Sequence, residues 1–392
     1  MCGLKVIGST AMIKKPSIVD LFSGCGGFGL GAELAGFRTV AAVDIDATLQ
    51  SSYRLNFPHA RTITGDLSKM DAESWQMILN GLEVDGVIGG PPCQGYSRMG
   101  KSDKDDPRRS LLGHFFRTVN IIRPKFFIME NVEGLMDERN RYELENAIQV
   151  LDKHYVVLEP MIVDASLYGV PTKRKRVILV GYDPKHITSL TAEDFKPTEA
   201  PTITVHDAIS DLADPISQSK DKDDFGWGGY AKNHDLSAYA IRMREKPVDG
   251  LGWAESLQKQ NHGLISGFFD TQHTIAVRKR YLETEPGTVD SISRAKKLAW
   301  DGLCPTLRAG TGSDKGSHQA VRPLHPEQPR VITVREAARL QGFPDWFTFH
   351  PTKWHSFRMI GNSVSPLLSE AILGRIRKRL ELNNIDSSRK VM

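Results

Sequence analysis

The apolar run Ile18-Val-Asp-Leu-Phe passes without a break into Ser23-Gly-Cys-Gly-Gly-Phe-Gly. A chain that turns on glycines straight out of a buried strand has few folds open to it, because the next residues must start a helix that packs back on that strand. Gly24, Gly26 and Gly29 satisfy G-x-G-x-x-G, where missing side chains let the backbone bend tightly and approach a bound group. Alone, the pattern also fits a tight turn that binds nothing. Asp44 narrows the reading: it closes the next strand-like segment, where a carboxylate accepts hydrogen bonds from ribose hydroxyls. Turn and carboxylate together indicate a nucleoside cofactor, with a nicotinamide dinucleotide and S-adenosylmethionine both still open.

The alternation of strand and helix continues through half the chain. Residues 17–22, 39–44, 86–89, 126–130 and 177–181 are short apolar segments of the kind buried on both faces, with amphipathic stretches between them. One stretch carries Leu111, Leu112, Phe115, Phe116, Val119 and Ile122 at helical spacing between Pro107 and Pro124, which predicts a crossover helix. The expected fold class is α/β, a doubly wound, Rossmann-like sheet. After Gly181 the regularity fails, and the residues up to 330 are rich in Pro, Gly, Asp, Lys and His, which reads as a smaller irregular domain. Order returns at Val334-Arg-Glu-Ala-Ala-Arg-Leu-Gln, a short helix stopped by Gly342 and Pro344, and again over residues 365–380. The expected division is a flexible lead-in at 1–15, a catalytic and cofactor-binding domain at 16–185, and a target-recognition domain at 186–330. A hinge and recognition-domain helix follow at 331–350, then a segment at 351–382 that returns to the catalytic domain, and a frayed tail at 383–392.

Composition excludes more than it identifies. A formal net charge of +4 and a pI near 8.7 fall short of a strongly basic nucleic-acid binder, so contacts to a polyanion must come from local clusters. No apolar run approaches the ~20 residues of a membrane span, and the lead-in lacks the apolar core of a signal peptide. Cys2, Cys25, Cys93 and Cys304 form no C-x-x-C pair. That spacing predicts no metal site and a reducing, cytoplasmic setting.

Several residues invite chemistry. Phe22, at the strand end, either stacks on an adenine or packs in the core, and Asp66 either faces an adenine amino group or caps a surface turn. Gly89-Gly-Pro-Pro-Cys-Gln-Gly-Tyr-Ser leaves the carboxyl end of its strand, the edge at which open α/β sheets hold ligands. Two prolines stiffen the approach to Cys93, and Arg98 and Lys101 beyond it favour a thiolate. A buried apolar cysteine is the other reading, and it fits poorly with so polar a neighbourhood. Met129-Glu-Asn-Val brings Glu130 to the same edge, where it is either a proton donor to a ring nitrogen or a solvated strand-end glutamate. In Thr172-Lys-Arg-Lys-Arg-Val, strand alternation puts Arg174 and Arg176 on one face and Lys173 and Lys175 on the other. Such a pair either grips a base or phosphate or forms a charged solvent edge.

Taken in order, these segments resemble the cytosine-C5 DNA methyltransferase family, of the bacterial or phage modification type. The matching motifs are Asp20-Leu-Phe-Ser-Gly-Cys-Gly-Gly, Pro91-Pro-Cys-Gln-Gly, Glu130-Asn-Val, Arg174-Lys-Arg, Arg335-Glu-Ala-Ala-Arg-Leu-Gln-Gly-Phe-Pro and Gly361-Asn-Ser-Val. They run from near residue 16 to about residue 375. One departure is Thr172, where the family usually has glutamine ahead of the paired arginines.

The resemblance implies an S-adenosylmethionine-dependent DNA (cytosine-5-)-methyltransferase. Cys93 would add to C6 of a cytosine flipped out of double-stranded DNA, Glu130 would protonate N3, and Arg176 would bind O2 with Arg174 as its companion. The cofactor pocket it implies draws on Phe22, Ser23, Gly24, Gly26, Gly27, Asp44, Ile45, Asp66, Leu67, Pro91, Asn362 and Val364. DNA contacts would come from Gln94, Ser97, Arg98, Lys101, Arg278, Thr306 and Arg308. A monomer is expected, either working beside a restriction endonuclease of the same site or as an orphan modification enzyme. A nicotinamide oxidoreductase would leave Cys93, Glu130 and the arginine pair without a role. A non-catalytic DNA-binding relative would be expected to lack the nucleophile or the acid. A transfer-RNA cytosine methyltransferase shares the chemistry, and the length of the middle domain favours DNA.

Overall fold

The computed structural model describes residues 15–92, 111–232, 235–248, 250–309 and 322–390, with side chains described to residue 382. The chain opens with β1 (Ser17–Leu21), α1 (Gly27–Leu34), β2 (Arg38–Asp44), α2 (Ala47–Asn56), β3 (Arg61–Thr64) and α3 (Ala72–Leu79). It continues through β4 (Gly86–Gly89), α4 (Leu111–Ile122), β5 (Phe126–Val132), α5 (Glu138–Ile148), β6 (Val156–Val157), β7 (Met161–Asp164), β8 (Thr172–Lys173) and β9 (Lys175–Tyr182). The main sheet has the order β3-β2-β1-β4-β5-β9, with β1 to β5 parallel and β9 antiparallel to β5. Both β6 and β7 pair antiparallel with β9. The order reverses between β1 and β4, so the crevice of a doubly wound sheet opens over the carboxyl ends of these two strands. The glycine turn leaves one of them and the Pro91-Pro92 turn leaves the other.

Strand alternation divides the apolar residues into two layers. Ile18, Ala42, Ile88, Phe126, Ile128, Ile178 and Val180 face one side of the sheet. Val19, Leu21, Val43, Val87, Phe127, Met129 and Leu179 face the other, against Trp75 of α3, Phe115 and Phe116 of α4 and Leu144 of α5. Because both faces are covered, the strands read as continuous apolar runs.

The rest of the chain lies against the first layer. It comprises α6 (Val205–Ile209), α7 (Ala238–Arg244), α8 (Ala254–Asn261), α9 (Ile275–Glu283), β10 (Cys304–Pro305), α10 (Val334–Gln341), α11 (Lys353–Asn362) and α12 (Pro366–Lys390). The middle segment is irregular, as its composition predicts, and isolated bridges such as Leu212 with Tyr230 and Gly228 with Ile265 hold it. Yet Ile187, Phe195, Val205, Ile209, Tyr239, Ile265 and Phe268 join the same core as α1, α10 and α12. Among the described residues a small satellite of Tyr281, Ala295, Leu324 and Val331 stands apart.

Two features fasten this half. Helix α10 is buried along its whole length, although three of its eight residues are charged. Arg339 forks onto Asp345 at 2.6 and 2.7 Å and onto Asp211 at 3.2 Å, and it also donates to Ala208 O. Burial opposes its charge, but the two aspartates hold the guanidinium above its ordinary range. Arg335 donates to the carbonyls of Ser266, Pro344 and Phe347. The second feature is the packing of α12 and the turn before it on α1: a Cβ on Gly27 would stand 1.9 Å from Ser363 Oγ, and one on Gly31 2.4 Å from Pro366 O. Ser369 Oγ donates to Phe28 O at 2.8 Å. Helix α12 continues to Lys390, beyond residue 382 where fraying is expected.

Candidate active site

The crevice over β1 is built from hydrogen bonds in which main-chain N–H groups meet carbonyl and carboxylate oxygens. Phe22 adopts a left-handed φ of 53°, a strained setting for a side-chain-bearing residue, and its ring is half-buried. Ser23 N donates to Val43 O at 3.0 Å, and Ser23 Oγ accepts from Gln50 Nε2 at 2.7 Å. Gly24 also has a left-handed φ, and none of the described residues lies within 4 Å of the place a Cβ would take, so the turn is open on their side. Its N–H donates to Asp44 Oδ2 at 2.8 Å, while Asp44 Oδ1 accepts from Asp46 N at 2.8 Å. Burial raises the Asp44 carboxyl above the usual carboxylate range, and these two N–H groups and Arg358 counter it. Ile45 follows as a large apolar side chain 71% exposed at the rim.

Asp66 caps a turn, one of its two expected roles. Its Oδ1 accepts from Ser68 N and Ser68 Oγ, capping the short turn Leu67–Lys69, and these bonds lower its carboxyl below the usual range. Leu67 is buried. On the other wall, Ser363 and Val364 reach the glycine turn through Gly27, with Val364 buried and Asn362 exposed beside them.

The second group gathers over β4 and β5. Glu130, 8% exposed, lies opposite Ile178 in the β5–β9 ladder, and Arg176 lies opposite Val132. Arg176 Nε stands 2.8 Å from Glu130 Oε1. Its N–H is not aimed along that line, and Oε1 receives no hydrogen bond from the described residues. The next residue, Asn131, reaches across to donate from Nδ2 to Pro91 O at 3.2 Å. A Cβ on Gly90 would touch Glu130 Oε2 at 3.4 Å. The Pro-Pro turn and the acid are thereby fixed to each other. Cys93, Gln94, Ser97, Arg98 and Lys101 lie outside the described residues, two prolines or more beyond Gly90.

The expected alternation of the basic segment holds: Lys173 and Lys175 are exposed, Arg174 and Arg176 turn inward. Their surroundings differ. Arg174, 2% exposed, donates to Leu307 O, Gly361 O and Ser363 O at 3.4, 3.2 and 2.8 Å. It clasps β10's extension to the end of α11. Thr172 keeps a supporting bond despite the missing glutamine, since its buried hydroxyl donates to Leu340 O at 2.6 Å. Thr306 Oγ1 donates to Lys173 O, Arg308 is exposed, and Arg278 is exposed on α9.

Sequence reasoning did not single out Asn131, Asp46, Gln50 or Arg358. Asp46 carries a local signal, a capping aspartate ahead of a helix. The Arg358 Nη2 to Asp46 Oδ2 contact at 2.6 Å joins residues far apart in the chain, and no local pattern announces it.

Comparison with known proteins bears on what this arrangement does. The family model for the C-5 cytosine-specific DNA methylase matches residues 17–378. The Type II methyltransferase M.XorII of Xanthomonas oryzae is 41% identical over 373 residues, covering 94% of this chain and 86% of the relative. The crystal structure of an Escherichia coli prophage-encoded protein, assigned as a DNA modification methyltransferase, superposes with a TM-score of 0.82 at 39% identity. It covers 94% of this chain and 100% of its own. Schizosaccharomyces pombe Dnmt2 shares the fold, with a TM-score of 0.58 at 16% identity over 94% of this chain and all of its own.

Proposed function

The chain belongs to the C-5 cytosine-specific DNA methylase family, and from that premise we propose that Cys93 and Glu130 act together on a cytosine flipped out of duplex DNA. The coarser activity is that of a Type II DNA (cytosine-5-)-methyltransferase using S-adenosylmethionine. The single observation that carries the finer reading is the Asn131–Pro91 bond. It fixes the acid of β5 to the turn from which Cys93 follows.

The crevice over β1 fits the cofactor. Open space above Gly24 admits a ligand, Asp44 offers a carboxylate to ribose hydroxyls, and exposed Ile45 is the kind of surface an adenine covers. Phe22, Ser23, Gly26, Gly27, Leu67, Pro91, Asn362 and Val364 would complete the walls, with Asp66 turned partly to its own cap. When bound, S-adenosylmethionine supplies an electrophilic sulfonium methyl group, which C5 takes up.

The chain's residues do the remainder. C5 of cytosine is a weak nucleophile until a bond forms at C6. The Cys93 thiolate forms that bond, and the displaced ring electrons are neutralised at N3 by the Glu130 proton. Arg176 stays beside Glu130 and binds the base at O2. After the methyl group is in place, the C5 hydrogen leaves as a proton to solvent, the ring double bond re-forms, Cys93 departs as thiolate and N3 returns its proton to Glu130. A stacked base cannot meet this geometry, so the target leaves the helix. Target reading falls to residues 186–330, with Arg278, Thr306 and Arg308 toward DNA. The Type II relatives support a partner endonuclease of the same site.

Fluorine at C5 blocks the last step, because it cannot leave as a proton. Duplex DNA with 5-fluorocytosine at an independently mapped target, incubated with S-adenosylmethionine, is expected to trap the enzyme in an adduct that survives denaturing gels and maps to Cys93. Cys93→Ser abolishes it, since a hydroxyl ionises too poorly to add at neutral pH. Glu130→Gln slows adduct formation by about 100-fold, within the range of general-acid contributions. No adduct, or one undiminished in Cys93→Ser, overturns the mechanism.

A further inference from the structure

We propose that Arg358, on α11, is a positioning residue for the cofactor: it anchors the Asp46–Asp44 pair that faces the ribose. The proposal rests on the reading of Asp44 as a ribose ligand.

A continuous chain of contacts carries it. Arg358 Nη2 holds Asp46 Oδ2 at 2.6 Å. Asp46 Oδ1 accepts from Thr48 N and Leu49 N at 2.9 and 3.2 Å, so the same carboxylate starts α2. Asp46 N then holds Asp44 Oδ1, and Asp44 Oδ2 ends the chain on Gly24 N, both at 2.8 Å. Each carboxylate is thus gripped at both oxygens, and the outermost grip is the guanidinium. A carboxylate fixed in this way needs no reordering to accept two hydroxyl groups, which is how a supporting shell raises affinity.

The charges around Asp44 give Arg358 a second effect. Asp46 places negative charge beside Asp44, and the Arg358 cation opposes it. Asp20 is buried, and burial pushes its carboxyl up to about 8. Asp44 is raised by burial too, so it is sensitive to losing an opposing cation. Trp354, one turn earlier on α11, lies 5.8 Å from the Arg358 guanidinium and helps to seat it. The Arg358 side chain is 31% exposed, so a purely structural ion pair there would add little to stability.

The test is S-adenosylmethionine binding to the whole enzyme by titration calorimetry, at several pH values, for wild type, Arg358→Gln, Arg358→Lys and Asp44→Asn. Arg358→Gln is expected to weaken binding about ten-fold at neutral pH, the scale of one charge-assisted bond. The sign of the pH effect follows from Asp44. Its ionised form binds hydroxyls, its carboxyl rises further without Arg358, and the pH below which affinity falls therefore moves upward. Arg358→Lys restores part of both losses. In steady state the loss falls on KM for the cofactor rather than on kcat. If Asp44→Asn weakens binding while Arg358→Gln matches wild type in affinity and pH profile, the positioning role is overturned and the cofactor reading stands. If Asp44→Asn binds normally, the ribose reading fails and the proposal goes with it.

Discussion

Around β1, β4 and β5 most buried side chains are hydrocarbons, with Ser17, Asp20, Glu130 and Asn131 as exceptions, and the ladder hydrogen bonds run from main chain to main chain. Around α10 the buried side chains include Arg330, Arg335, Glu336, Arg339, Asp345 and Asp211, and guanidinium groups reach carbonyls and carboxylates. The first region is made by repetition, with each strand laid beside the last. The second has almost no ladder, so side chains must satisfy its irregular main chain, and arginine has enough donors in a rigid fork to do so. The proposed catalytic edge lies where the two meet: Arg176 faces Glu130 of the sheet while Arg174, two residues earlier, binds the other half.

The largest expected effect breaks the polar region. Arg339→Met should lower stability by about 3–5 kcal/mol, since it leaves Asp345 and Asp211 buried with too few partners. Urea unfolding measures it, and a loss below 1 kcal/mol would mean that the charged core is no stronger than an apolar one. The two arginines sharpen the comparison next. Arg176→Ala should cut methyl transfer about 100-fold with unfolding near wild type, as expected of a group that acts on the transition state. Arg174→Ala should instead destabilise by about 1–3 kcal/mol through its orphaned carbonyls. Paired rate and unfolding measurements test the split, and identical profiles for the two variants would remove it. The smallest effect belongs to Thr172→Val, about 1 kcal/mol for one buried hydrogen bond to Leu340 O. Replacing Thr172 with glutamine should recover little if that hydroxyl already does the supporting work.

The same contrast governs what could be read from the sequence. The positions of β1, β2, β4, β5 and β9 were legible because burial on both faces leaves apolar runs of near neighbours, whereas the edge strands β3, β6 and β7 lack that burial, and α4 declared itself through helical spacing bounded by prolines. Glu130 and Arg176 were legible as candidates because each ends or begins a recognisable strand. Arg174 was harder: alternation turned it inward correctly, but its partners Leu307, Gly361 and Ser363 lie far along the chain. Asp66 offered two readings, and the local Ser68 bonds realise the capping one on Oδ1. The middle segment read as a separate irregular unit because its short helices carry weak periodicity. Its buried apolar residues are nonetheless scattered singly into a core shared with α1 and α12, and a window of neighbouring residues does not show that.

The seam between α1 and α12 bears on the order in which the enzyme is made. Ser369 and Phe28 are hydrogen-bonded across a separation of 341 residues, and Cys25 contacts Ser363 across 338. On the ribosome, the glycine turn and the sheet emerge long before their covering exists. Long-range contacts of this kind form late. A nascent chain therefore carries a bare glycine face on α1 until translation has passed Ser369, and the crevice wall is completed only then.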